Sequence, residues 1–277
     1  MKERAVVLGS GGLAFAGWQA GVLYGLASAG VDLSVADLIV GTSVGSVVGA
    51  ALASESIALE GLYERQLAGT DGELPARLSP SGILAYVWAM LRSRTPEEYA
   101  RRLGRLRPAR VDTGERAAVI ADRLLSPQWP VRPFKVAAVD AAIGELWAID
   151  RDSGVPLVEA VDASCAIPGV WPQVTINGRR WIDGGVYSPT NAHLAAGYRR
   201  VVIIAPVSRG GGPLRSARAH ADLLTRQGAR VEVIDPDKAT RAAVGGNPLD
   251  PARRASAARA GLAQARAHVE RVAAVWL

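Results

Sequence analysis

The feature that most restricts the fold of this chain is the pentapeptide Gly41-Thr42-Ser43-Val44-Gly45, entered directly from the apolar run Leu38-Ile39-Val40. A serine on so sharp a strand-to-helix turn has a strained backbone, and small flanking residues are needed to let the two elements pass. With 30 glycines in 277 residues, chance alone supplies G-x-S-x-G about 0.2 times. The context gives it weight, because residues 46–53 are small and apolar and suit a helix packed closely on a sheet. Upstream, residues 5–8 read as a buried strand, residues 9–12 as a tight turn and residues 16–29 as a helix ending at Gly30; residues 37–40 form the second strand. This order predicts a parallel sheet covered by helices, with both glycine turns on the edge where the strands end.

Size and composition narrow the class. A chain of 277 residues with 49% hydrophobic content can bury one large core, so a single domain over residues 1–277 is the economical reading. The one cysteine, Cys165, lies in an apolar stretch and reads as inert packing. The net charge of +6 is uneven, with 2 basic and 6 acidic residues before position 65. Arg supplies 29 of the 32 basic side chains, and no basic run is interleaved with aromatics, so nucleic acid is not an expected partner. Residues 5–31 carry no charge, yet their seven glycines argue against a signal peptide or a spanning helix. A cytoplasmic protein is expected.

Residues 70–130 differ from the rest: strand-like runs are few and prolines stand at 75, 80, 96, 108, 127 and 130, which predicts a helical insertion. Within it Ile83, Leu84, Val87, Trp88 and Leu91 form an apolar helical stripe, read as packing on its own core, with a lipid-facing lid as the sharper alternative. Strand signals return at 134–139, 145–149, 200–206 and 231–234, and residues 251–276 read as a closing helix.

A serine hydroxyl needs a base within hydrogen-bond reach and donors aimed at the oxyanion. The turn Gly9-Ser10-Gly11-Gly12 offers free backbone N–H groups. It also fits a dinucleotide cradle, Gly9-x-Gly11-x-x-Ala14, although the acid expected after the second strand is missing. For the base, His193 would give the chain order Ser43, Asp183, His193 of a triad esterase or thioesterase, whereas His220 and His268 read as surface residues on Ala/Arg-rich helices. Asp183, in Trp181-Ile182-Asp183-Gly184-Gly185, is the other candidate. Apolar neighbours would desolvate its carboxylate and strengthen it as a base.

Taken together, the Gly9–Gly12 turn, the serine pentapeptide, the segment Ala163-Ser164-Cys165-Ala166-Ile167-Pro168-Gly169-Val170-Trp171-Pro172 and Asp183-Gly184-Gly185 resemble the patatin-like acyl hydrolases. The resemblance implies a three-layer α/β/α sandwich with a mostly parallel central sheet, acting on ester bonds of phospholipids or lysophospholipids through an acyl-enzyme. It implies Ser43 as nucleophile, Asp183 as base and the N–H groups of Gly11 and Gly12 as oxyanion hole, with no metal or cofactor. The partner would be a lipid or other acyl ester, with peripheral membrane contact following from that substrate class. Ser10, Ala14 and Phe15 depart from the family's glycine motif, which commonly carries an Arg, and weaker oxyanion stabilisation is expected from the change. A lipid- or dinucleotide-binding protein without hydrolysis is the alternative these departures leave.

Overall fold

The computed structural model describes residues 2–54, 56–69, 72–74, 76–106 and 113–277. Its elements follow in order as β1 (Arg4–Leu8), α1 (Ala14–Ser28), β2 (Leu38–Thr42), α2 (Val44–Ser54), α3 (Leu59–Leu67), α4 (Pro80–Arg92), α5 (Pro96–Leu103) and α6 (Thr113–Arg123). There follow β3 (Phe134–Asp140), β4 (Leu146–Ile149), α7 (Leu157–Ser164), β5 (Val174–Ile176), β6 (Arg179–Asp183) and β7 (Arg200–Ile204). The chain closes with α8 (Ala217–Arg226), β8 (Arg230–Ile234), α9 (Lys238–Val244), α10 (Arg254–Ala265) and α11 (Val269–Trp276).

The eight strands form one sheet in the order β5-β6-β3-β2-β1-β7-β8, with β4 on β3 beside this path. Pairing is parallel from β3 through β2, β1 and β7 to β8, and antiparallel where β4 and β6 join β3 and where β5 joins β6. Side chains of β1 alternate between two cores: Val6 and Leu8 face α1, α2 and α10, while Ala5 and Val7 face α8. That alternation is the period-2 pattern of a sheet covered on both faces, and it gives the expected three layers. Between β2 and β3 the described residues hold only helices, α2 to α6; residues 70, 71, 75 and 107–112 of the stretch expected to be helical lie outside the description.

The sheet register determines what meets at its centre. Ala137 pairs with Thr42 of β2 and Ala148 of β4, while the next residue, Ala138, pairs with Trp147 of β4 and Asp183 of β6. Because β4 holds one edge of β3 at both positions, β2 and β6 share the other edge. They run in opposite directions along it, so their carboxyl ends come head to head. On the far side of the sheet's helix layer, α1 and α10 pack backbone to backbone. A Cβ on Gly17 would lie 2.1 Å from Arg254 O, and one on Gly261 would lie 2.3 Å from Trp18 O, so glycine alone permits this seam. Trp18 Nε1 fastens it by donating to Gln264 Oε1 at 2.9 Å.

Two sequence expectations need correcting. His220 and His268 are buried, not on the surface. His220 is turned against Ser188, and His268 against Gln264, Arg271 and Glu232. The apolar stripe of α4 does not pack on a core either: Leu84 is 70% exposed, Trp88 53% and Leu91 80%. Only Ala89 on this helix is fully buried, with Tyr86 and Met90 packed inward beside it. Among the described residues, no helix is long and apolar enough to cross a membrane.

Candidate active site

Ser43 sits at the sharp turn between β2 and α2 with φ +54°, a left-handed conformation that costs a non-glycine residue about 1 kcal/mol. Close packing permits the turn: a Cβ on Gly41 would be 2.5 Å from Ser46 Cα, and one on Gly45 would be 2.1 Å from Leu8 O of β1. Ser164 braces it by accepting from Ser43 N at 2.8 Å and donating to Ala137 O at 2.7 Å. Ser46 Oγ donates to Ser43 O at 2.6 Å, which closes the first turn of α2.

Asp183 ends β6 directly opposite, and its carboxylate lines the same cavity as Ser43, near enough for the hydroxyl to lower the carboxylate's pKa. Gly185 N–H donates to Asp183 Oδ1 at 2.7 Å and fixes the carboxylate's orientation. Burial pushes the Asp183 pKa up to about 6; the neighbouring Ser43 hydroxyl, the Gly185 N–H and the positive charge of Arg116 restrain the rise. Arg116 is itself buried and ion-paired to Asp162 at 2.7 Å. The carboxylate is therefore a stronger base than a surface aspartate and is still mostly ionised at neutral pH.

The glycine turn before α1 faces this pair. Gly9 and Ser10 spend their N–H groups on Ile204 O at 2.9 Å and Pro189 O at 2.8 Å. Among the described residues, the N–H groups of Gly11 and Gly12 have no partner, and both residues line the same cavity as Ser43 and Asp183. Gly12 has φ +85°, and a Cβ there would be 2.7 Å from Pro248 O, so the turn admits no side chain. Ala14 N donates to Pro248 O at 2.9 Å, so a protein carbonyl takes the helix N–H that a dinucleotide cradle would offer to phosphate. Phe15 does not enter the cavity; its buried ring meets Trp18 edge-on at 5.9 Å and supports the turn from beneath. Gln19 Nε2 adds a bond to Gly9 O at 2.8 Å.

His193 lies elsewhere. Its ring stacks on His220 at 5.6 Å, and among the described residues it makes no hydrogen bond to Ser43 or Asp183. Burial lowers its pKa, and burial with His193 and Arg215 nearby pushes His220 down to about 4, so both rings are neutral near pH 7. Cys165 stands 4.0 Å from Ser46 Oγ, and burial pushes its thiol up to about 12, so it carries no thiolate.

Sequence reasoning missed one residue that joins the two halves of the site. Asn191, fully buried with φ +49°, donates from Nδ2 toward Thr42 Oγ1 at 3.1 Å, Gly184 O at 3.1 Å and Ser188 O at 3.0 Å. It thus ties the residue before Ser43 to the residue after Asp183. An isolated Asn in a Pro-Thr-Asn turn carries no sequence signal for that role.

Above the pair opens a cavity of about 610 Å³, walled mainly by apolar side chains including Tyr86, Met90, Ile167, Val170, Leu214 and Leu249. That volume suits a small-molecule site, and its apolar walls suit an acyl chain.

A family model described as patatin-like phospholipase matches residues 6–196. Among solved structures, VipD from Legionella pneumophila is similar at 10% identity and a TM-score of 0.46, over 98% of this chain and 67% of that one. The type III effector protein ExoU is similar at 13% identity and a TM-score of 0.40, over 97% of this chain and 54% of that one, so this chain spans about half of ExoU.

Proposed function

The chain belongs to the patatin-like phospholipase family, and from that premise we propose that it is a serine acyl hydrolase cleaving phospholipid or lysophospholipid esters through Ser43 and Asp183. The observation that carries the proposal is the Ser43 hydroxyl beside a buried, base-strengthened carboxylate in one apolar cavity.

As Ser43 Oγ attacks the ester carbonyl carbon, its proton passes to Asp183 and the carbonyl oxygen takes up the negative charge. The unpartnered N–H groups of Gly11 and Gly12 receive that oxyanion. Collapse of the tetrahedral intermediate expels the alcohol, which takes the proton from Asp183 and leaves an acyl ester on Ser43. A water molecule then attacks the acyl carbon, gives its proton to Asp183 and releases the carboxylic acid, with Ser43 recovering its proton. Because the donors are backbone groups of a turn held at Pro189, Ile204 and Pro248, the altered glycine motif leaves them in place.

The test is labelling by a fluorophosphonate, read by intact mass. Wild type and His193→Ala are expected to gain one adduct, while Ser43→Ala and Asp183→Asn gain none. Loss of labelling in His193→Ala with retention in Asp183→Asn would replace this reading with a histidine-based triad.

A further inference from the structure

We propose that the exposed face of α4 docks on an anionic lipid surface and brings the mouth of the cavity against it; the orientation, though not the docking, rests on the active-site reading above. The helix has two faces. Tyr86 and Met90 turn inward and line the cavity, and Tyr86 donates to Pro168 O at 3.1 Å. Leu84, Val87, Trp88 and Leu91 turn outward, and Ile83, half-exposed, sits where the stripe meets the cavity. A row of large apolar side chains spaced by one helical turn and left to solvent is costly in water and gains by entering the interfacial layer of a bilayer.

Charge selects the occupant. Residues 74–96, which carry α4, contain Arg77, Arg92 and Arg94 and no acid; residues 205–219 contain Arg209, Arg215 and Arg218 and no acid. The two segments are in contact, since a Cβ on Gly212 would be 2.7 Å from Met90 Cγ. Arg218 is committed to Asp235 at 3.8 Å. Arg77, Arg92, Arg94, Arg209 and Arg215 are exposed and, among the described residues, form no ion pair. Arg77 and Arg209 line the cavity itself. An apolar ridge flanked by unpaired guanidinium groups at the entrance to an apolar cavity complements a membrane with negative headgroups. Arg102 lies over the Trp88 ring at 5.1 Å and holds the indole on the outer face.

The experiment is co-sedimentation of the full chain carrying Ser43→Ala with vesicles of phosphatidylcholine alone or mixed with phosphatidylserine. Binding is expected on the mixed vesicles, weakening as salt rises. Leu84→Ser/Leu91→Ser should lower the partition coefficient by at least about tenfold, from the apolar area each leucine withdraws from water. Arg92→Gln/Arg94→Gln should cost roughly fivefold per charge on the anionic vesicles only. With Ser43 restored, both pairs should hydrolyse a soluble monomeric ester at the wild-type rate, which excludes misfolding. Absent binding to either vesicle, or binding that the leucine pair does not reduce, overturns the proposal. So does a dimer that the leucine pair dissociates without affecting vesicles, since a second copy would then be the occupant. Vesicle binding by a wild-type protein that fluorophosphonate does not label refutes only the active-site reading.

Discussion

Replacing Asp183 by Asn tests the electrostatics of the site through stability as well as activity. In the folded protein burial raises the Asp183 pKa from 3.8 to about 6, so folding disfavours its ionised form. The proton-linked stability is complete below pH 3.8 and is lost as pH rises through about 6. At 1.36 kcal/mol per unit, the shift amounts to about 3 kcal/mol at pH 8, with roughly half already lost by pH 5. Asn has nearly the same shape, can accept from Gly185 N–H and never ionises. Asp183→Asn should therefore be more stable than wild type by about 3 kcal/mol at pH 8, and by about half as much at pH 5. Urea unfolding followed by fluorescence of the seven tryptophans measures both. On the proposed mechanism, in which Asp183 acts as base only when ionised, wild-type kcat/KM on a soluble ester should rise with pH and level off above a midpoint near 6. A variant no more stable than wild type at pH 8 would refute the claim that this carboxylate is held ionised against desolvation.

Two further substitutions separate strain from positioning. Ser43→Gly should abolish fluorophosphonate labelling yet raise stability by about 1 kcal/mol in the same urea assay, because glycine adopts φ +54° freely. Asn191→Ala should cost about 2–3 kcal/mol by leaving Thr42 and Gly184 without their shared partner. It should also slow labelling of Ser43 without changing the midpoint of the pH profile, since neither reacting group is removed.

The serine turn was legible because its strain is written locally: Gly41 lets β2 and α2 cross, and Gly45, beside it, lets α2 pass β1. The mostly parallel, helix-covered character of the sheet followed from apolar runs separated by helical spacing. Asp183 was different. Its Asp-Gly-Gly could equally be a turn, and what makes it a partner of Ser43 is the antiparallel pairing of β6 with β3, a tertiary event with no local mark. The three-residue β5 escaped notice for the same reason. Periodicity showed that α4 has an apolar face and is silent on what that face meets, so the inward-packing reading failed. His220 and His268 were misplaced because Ala/Arg-rich segments suit a solvated helix and a tightly packed one equally well.

The glycine seam between α1 and α10 has a consequence for the order in which the molecule becomes competent during synthesis. When residue 196 has left the ribosome, Ser43, Asp183 and the Gly11–Gly12 turn all exist. Even so, β1 lacks its β7 neighbour and α1 lacks the helix that Gly17 and Gly21 are shaped to receive. Pro206 and Pro248, which wall the turn, are also still to come. Contacts of such long sequence separation form late and slowly. At that length Ser43 faces a glycine turn that still lacks the residues walling it and the helix that packs on α1.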